Sequence, residues 1–167
     1  MTRAVAAALA LALALPLALA PAARARDALG VWNDWAAFRD PGVPRCYAIA
    51  MPRPAPGRKR DFQPYLTVAT WPTRDVRGQV HVRLPRVAPA AAQVTLSLGG
   101  QSFALLAGGN SAWAPDRRSD AAIVAAMRSA AELTVTLREP GRVTREVWRL
   151  AGLPSALDAA ALACARR

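Results

Sequence analysis

Alternation with a period of two is the feature that most limits what this chain can become. In Gln93 to Leu98 the apolar Val94, Leu96 and Leu98 take turns with Gln93, Thr95 and Ser97. Gly99-Gly100 separates this run from a second, Gln101 to Leu106. Successive side chains of a strand point to opposite faces, so such runs form half-buried strands, and a two-glycine link supplies the positive φ angles of a tight hairpin. Leu133, Val135 and Leu137 alternate with Thr134, Thr136 and Arg138, and Pro140-Gly141 suits a type II turn into Arg142 to Leu150. Val80, Val82 and Leu84 mark one face of Gly78 to Leu84. Tyr65 to Trp71 is a strand ended by Pro72, and Arg45 to Ala50 is a short strand apolar on both faces. Arg26 to Phe38, with Val31-Trp32 and Trp35-x-x-Phe38, reads as an initial strand or an apolar flap.

Two segments depart from this period. From about Asp120 to Ala130, Ile123, Val124 and Met127 line one helical face; Asp120 suits the positive helix N-terminus, and Ser119 or Asp116 can cap it. A final helix is expected from Ser155, where Ser155-x-x-Asp158 has the capping-box pattern. Leu153, Leu157, Ala160 or Ala161, and Cys164 then share a stripe. The expected fold is mainly β: an antiparallel β-sandwich or partly open barrel of about seven or eight strands with two short α-helices.

The N-terminus bears on where this fold forms. Arg3 precedes an almost unbroken Ala/Leu run from Ala4 to Ala20, and Ala23-Arg24-Ala25 offers the small-x-small pattern of a signal-peptidase site. Residues 1–25 are therefore read as a cleaved signal peptide and residues 26–167 as one domain, periplasmic or secreted. No later stretch has the continuous apolar length of a membrane-spanning helix. In an oxidising compartment the simplest outcome for Cys46 and Cys164 is one intramolecular disulfide; the alternative is two separate buried thiols. With one histidine and two cysteines the chain has too few ligands for the usual structural zinc site, and neither a metal nor a cofactor is expected.

The formal net charge is +11, and loss of Arg3 and Arg24 with the leader leaves the remainder strongly basic. A basic surface attracts lipopolysaccharide, anionic phospholipid or nucleic acid, and export argues against nucleic acid. Pro52, Pro54 and Pro56 exclude a helix, so Met51 to Gln63 is expected to be a protruding basic loop. Its Arg58, Lys59 and Arg60 are the leading candidates for contact with an anionic cell-envelope component or another envelope protein.

Catalytic candidates are weak. His81 points away from Val80 and Val82 and reads as a surface histidine. Gly100-Gln101-Ser102-Phe103 lacks the second glycine of a nucleophile elbow. Asp116 and Asp120 fit capping better than acid–base work, and Glu132, Glu139 and Glu146 read as solvated charges. Trp32, Trp35, Trp71, Trp113 and Trp148 are expected to complete the core, with an aromatic platform for glycan or lipid as the alternative. The reading is a non-enzymatic binding or envelope-associated module. Its rivals are a small hydrolase or transferase with scattered site residues, and a structural or folding-assistance role.

The closing segment Leu150-Ala151-Gly152-Leu153-Pro154-Ser155-Ala156-Leu157, followed by Cys164, resembles the "S-L-x-G-F-x-x-A-L" element of the invasion-associated locus B (IalB) family of exported bacterial proteins. Asp120 to Leu137, Arg83-Leu84-Pro85-Arg86-Val87 and Cys46-Tyr47-Ala48-Ile49 are also similar to family landmarks. Leu153 stands where the family has Phe. Trp113-Ala114-Pro115-Asp116 lacks the cysteine pair that members often carry before the first helix. The resemblance implies a small periplasmic or secreted β-rich domain and supplies no catalytic residues.

Overall fold

The structure, a computed structural model, describes residues 25–57 and 59–165; the expected leader, apart from Ala25, and Arg58 lie outside the described residues. Ten strands run β1 (Asp27–Trp32), β2 (Trp35–Asp40), β3 (Arg45–Ala50), β4 (Tyr65–Trp71), β5 (Val76–Arg83), β6 (Gln93–Leu98), β7 (Gln101–Gly108), β8 (Ser111–Trp113), β9 (Glu132–Glu139) and β10 (Arg142–Arg149). Helix α1 (Arg117–Met127) precedes β9, and α2 (Leu153–Ala165) closes the chain.

All pairings are antiparallel, in the order β1-β2-β3-β4-β5-β8-β7-β6-β9-β10. Strand β7 links two layers: Leu106 to Gly108 pair with β8, while Gln101 to Leu105 pair with β6. The sheet bends over on itself without closing into a barrel. Three longer-range bonds bridge its ends instead. Trp35 Nε1 donates to the Arg149 carbonyl at 2.9 Å, Trp148 Nε1 to the Ala50 carbonyl at 3.1 Å, and the Arg53 amide to the Val147 carbonyl at 2.7 Å.

The fold class agrees with the sequence expectation, and two differences explain the larger strand count. The opening aromatic segment is a hairpin of two strands, turned at Asn33 with φ 51°, a conformation that asparagine tolerates better than most residues. Three-residue β8 carries too few positions to show alternation. The Gly99-Gly100 turn forms as expected, with φ of 53° and 78°.

The inner face is apolar. Leu66, Val80, Val82, Leu96, Leu133, Trp35 and Trp148 are all but fully buried, and α2 lays Leu153, Ala156, Leu157, Ala160 and Cys164 against β1–β4. There a disulfide joins Cys46 to Cys164 across 118 residues of sequence. Constraint of so long a loop in the unfolded chain contributes about 4–5 kcal/mol as an upper bound. No helix of the described residues is long and apolar enough to cross a membrane.

Both helices start earlier than expected. Asp116, extended at φ −158°, accepts from the Ser119 amide at 2.7 Å and starts α1 at Arg117. Helix α2 begins at Leu153, with Ser155 inside its first turn, and Asp158 is engaged by Arg128 at 2.7 Å. Gly152 (φ +88°) sets this start, because a Cβ there would meet the Trp32 carbonyl oxygen at 2.0 Å.

Candidate functional site: an aromatic and cationic cleft on the outer sheet face

Alternation that sends Cys46, Leu66, Val68, Val80 and Val82 inward must send their neighbours outward. On β3 these are Arg45, Tyr47 and Ile49; on β4, Tyr65, Thr67 and Trp71; on β5, Gln79 and His81. One row of register partners crosses six strands: Ala36, Ile49, Thr67, His81, Trp113 and Leu106. The outward residues of β3, β4, β5 and β8 line a cleft of about 370 Å³, with Arg26 at its side.

Arginines and rings are interleaved in this cleft. The Arg45 guanidinium lies 4.5 Å from the Tyr47 ring centroid and 5.3 Å from that of Trp71, and Arg74 covers Trp71 at 4.9 Å. Arg83 stacks on Phe62 at 4.9 Å and Tyr65 at 6.0 Å. Contacts of this kind contribute about 0.5–1 kcal/mol each at exposed sites and hold the flat cations in place. Asp40 lies 3.8 Å from Arg45 and 3.5 Å from Arg26. Arg45 Nε is buried with no hydrogen-bond partner among the described residues. The cationic charge is therefore only partly offset from within.

His81 stands fourth in the row. Its ring packs between Tyr65 (5.7 Å) and Trp113 (5.4 Å), and Nε2 lies 3.1 Å from Ser111 Oγ. It faces outward as expected, but it is half-covered rather than open. Burial first, then the charges of Arg83 and Arg45, lower its pKa from the ordinary 6.5. An imidazole held neutral in this way can accept a proton or hydrogen bond at neutral pH. Beside it Trp71 Nε1 donates to Gln79 Oε1 at 3.1 Å, fixing that indole.

The basic loop is rearranged relative to expectation. It does not protrude at either end: Pro52 is buried, the Arg53 amide joins β10, and the Asp61 and Phe62 amides both donate to the Pro85 carbonyl. Arg60 binds Glu146 through two hydrogen bonds, Nε to Oε1 at 3.0 Å and Nη2 to Oε2 at 2.5 Å, so its guanidinium faces inward. Lys59 is exposed. Of the glutamates read from sequence as solvated, Glu146 is buried and Glu139 is partly buried; Arg86 reaches Glu139 at 3.0 Å and Thr144 at 2.8 Å. Strand β10 turns Thr144, Glu146 and Trp148 inward, and arginines distant in sequence make those polar positions tolerable.

The two helix aspartates do different work. Asp116 caps α1, and its bonds to the Ser119 amide and hydroxyl lower its pKa. Asp120 is buried and accepts from the Val80 amide at 2.8 Å, on the stretch of β5 that β8 does not reach; burial raises its pKa. A strand amide left over by a short neighbour is thus satisfied from a helix.

Of the tryptophans, Trp35 and Trp148 lie in the core, Trp32 packs half-buried against it, and Trp71 and Trp113 belong to the cleft. Sequence reasoning missed Arg45, Tyr47, Tyr65, Trp71, Gln79 and Trp113 as a group. The signal was present as parity: Tyr65, Thr67 and Trp71 oppose Leu66 and Val68. Among the described residues no cluster of three or more His, Cys, Asp and Glu side chains could hold a metal ion. Comparison with family models, curated proteins and solved structures returns no match.

Proposed function

We propose that this chain is an exported, non-enzymatic binding module of the invasion-associated locus B type, which takes an anionic component of the bacterial cell envelope on its outer β3–β4–β5–β8 face. The observation that carries the reading is the cleft itself. Arg45 and Arg26 line it with Tyr47, Tyr65, Trp71 and Trp113, Arg83 lies over the Tyr65 ring, and Asp40, the carboxylate that Arg45 and Arg26 share, lies outside its lining. Guanidinium groups held flat on rings are preorganised to donate to phosphate or carboxylate, and ring faces accept the apolar side of a sugar or glycerol group. The disulfide suits an oxidising compartment, which agrees with the reading of residues 1–25 as a leader. The basic loop is a secondary contact, with Lys59 as the exposed member of its Lys59-Arg60 pair.

Calorimetric titration with monomeric short-chain phosphatidylglycerol and phosphatidylcholine tests this reading. The glycerol lipid is expected to bind more tightly, and Arg45→Gln to weaken it about tenfold, the loss of one charge-assisted bond. Lys59→Ser should change little. Equal affinity for the two lipids, or binding indifferent to both Arg45→Gln and Trp113→Ala, would count against it.

A second reading has one observation in its favour, the Ser111–His81 pair at 3.1 Å. A neutral histidine beside a serine is the core of hydrolytic nucleophile activation. Ester hydrolysis abolished by Ser111→Ala and by His81→Ala would establish that reading instead.

A further inference from the structure

We infer that the ligand of this face is an anionic amphiphile bound one molecule at a time, its headgroup in the aromatic cleft and its alkyl chain along an apolar trough beside it. This rests on the anion-binding reading above and adds the chemical class of the ligand. The trough, of about 570 Å³, is walled by Ala36, Phe38, Ile49, Met51, Pro52 and Pro54. Ile49 and Tyr65 line both hollows, so trough and cleft share a wall. Each lies within the size range of small-molecule sites.

The two halves differ in chemistry along a single register row. Ala36 and Ile49 stand on the trough side and His81 and Trp113 on the cleft side, with Thr67 between them; the row's last member, Leu106, lines neither hollow. Met51, 64% exposed, gives the trough a flexible, polarisable rim that adapts to a chain of variable length. Charge favours an anion throughout: Arg26, Arg45, Arg53 and Arg149 line the two hollows, against the single carboxylate of Asp34. A free headgroup leaves the apolar half wet, and a neutral hydrocarbon leaves uncompensated the positive charge of Arg26, Arg45, Arg53 and Arg149 that Asp40 and Glu132 only partly offset. An anionic amphiphile satisfies both.

The test is a homologous series of alkyl phosphates from ethyl to decyl, each below its micelle concentration, titrated into the native protein by calorimetry. Affinity is expected to rise about three- to fourfold for each added methylene until the trough is filled. Met51→Asn and Ala36→Trp, one making the trough polar and the other filling it, at residues that line the trough and not the cleft, should each flatten that rise while ethyl phosphate affinity and the urea midpoint stay unchanged. Two different substitutions guard against a folding artefact in either one. A flat chain-length series in the native protein would overturn the inference. So would a rise that survives both substitutions, or a sedimenting dimer dispersed by Met51→Asn, which would make a second copy the occupant. Retained preference for phosphatidylglycerol with a flat series removes the amphiphile and leaves the anion site; loss of both removes both.

Discussion

The two faces of strands β3 to β5 are built from alternate residues of the same short sequences and have almost nothing in common. Inward, Cys46, Ala48, Leu66, Val68, Val80 and Val82 are small or aliphatic and closed to solvent. Outward, Arg45, Tyr47, Tyr65, Thr67, Gln79 and His81 are aromatic, polar or cationic, and most are only half-covered. Antiparallel sheets ordinarily place polar residues on the solvent side, but large rings and stacked guanidiniums exceed what solubility requires. Stability is concentrated on one parity of the strands, and the proposed recognition would use the other. A substitution one residue along should therefore change the kind of defect and not merely its size.

The largest expected effect breaks the inner face. Leu66→Ala, at a site with no exposure, should lower unfolding free energy by about 3 kcal/mol through lost burial and a residual cavity. Thr67→Ala, its outward neighbour, should stay within about 0.5 kcal/mol. Urea denaturation of both variants checks the contrast, and similar losses at the two positions would remove it.

The smaller effect sharpens the outer face through pH. Folding lowers the His81 pKa, so the unfolded chain binds that proton more readily than the native one. The stabilisation from neutral His81 is complete above the ordinary value near 6.5 and is lost as pH falls through the lower folded value. Proton NMR of the sole histidine should give a midpoint below 6.5, and His81→Gln should make stability less steep in acid. A midpoint at or above 6.5 would mean that Tyr65 and Trp113 do not cover the ring.

What the sequence made legible follows from the range of the interactions involved. The Gln93–Leu106 hairpin and the Leu133–Leu137 strand announce themselves because alternation and turn chemistry act within a few residues. Strand β8 does not, because three residues between a glycine turn and a helix cap hold no period. Its place beside β5 depends on partners some 30 positions away, as in the pairing of His81 with Trp113. Arg45 to Ala50 looked apolar on both faces because Tyr47 and Ile49 are apolar in composition, yet in the fold they belong to the cleft side. Glu146 misled in the opposite direction. Nothing near it in sequence signals burial, and its partner Arg60 comes from a loop that had been expected to face solvent.

If recognition belongs to the outer parity alone, the five tryptophans report it directly. Indole Nε1–H resonances can be followed by ¹⁵N–¹H correlation NMR as octyl phosphate is added. Trp71 and Trp113 should shift together and saturate with ligand, while Trp35 and Trp148, hydrogen-bonded to the Arg149 and Ala50 carbonyls in the core, stay in place. Shifts at the core pair with Trp71 and Trp113 unmoved would contradict the claim.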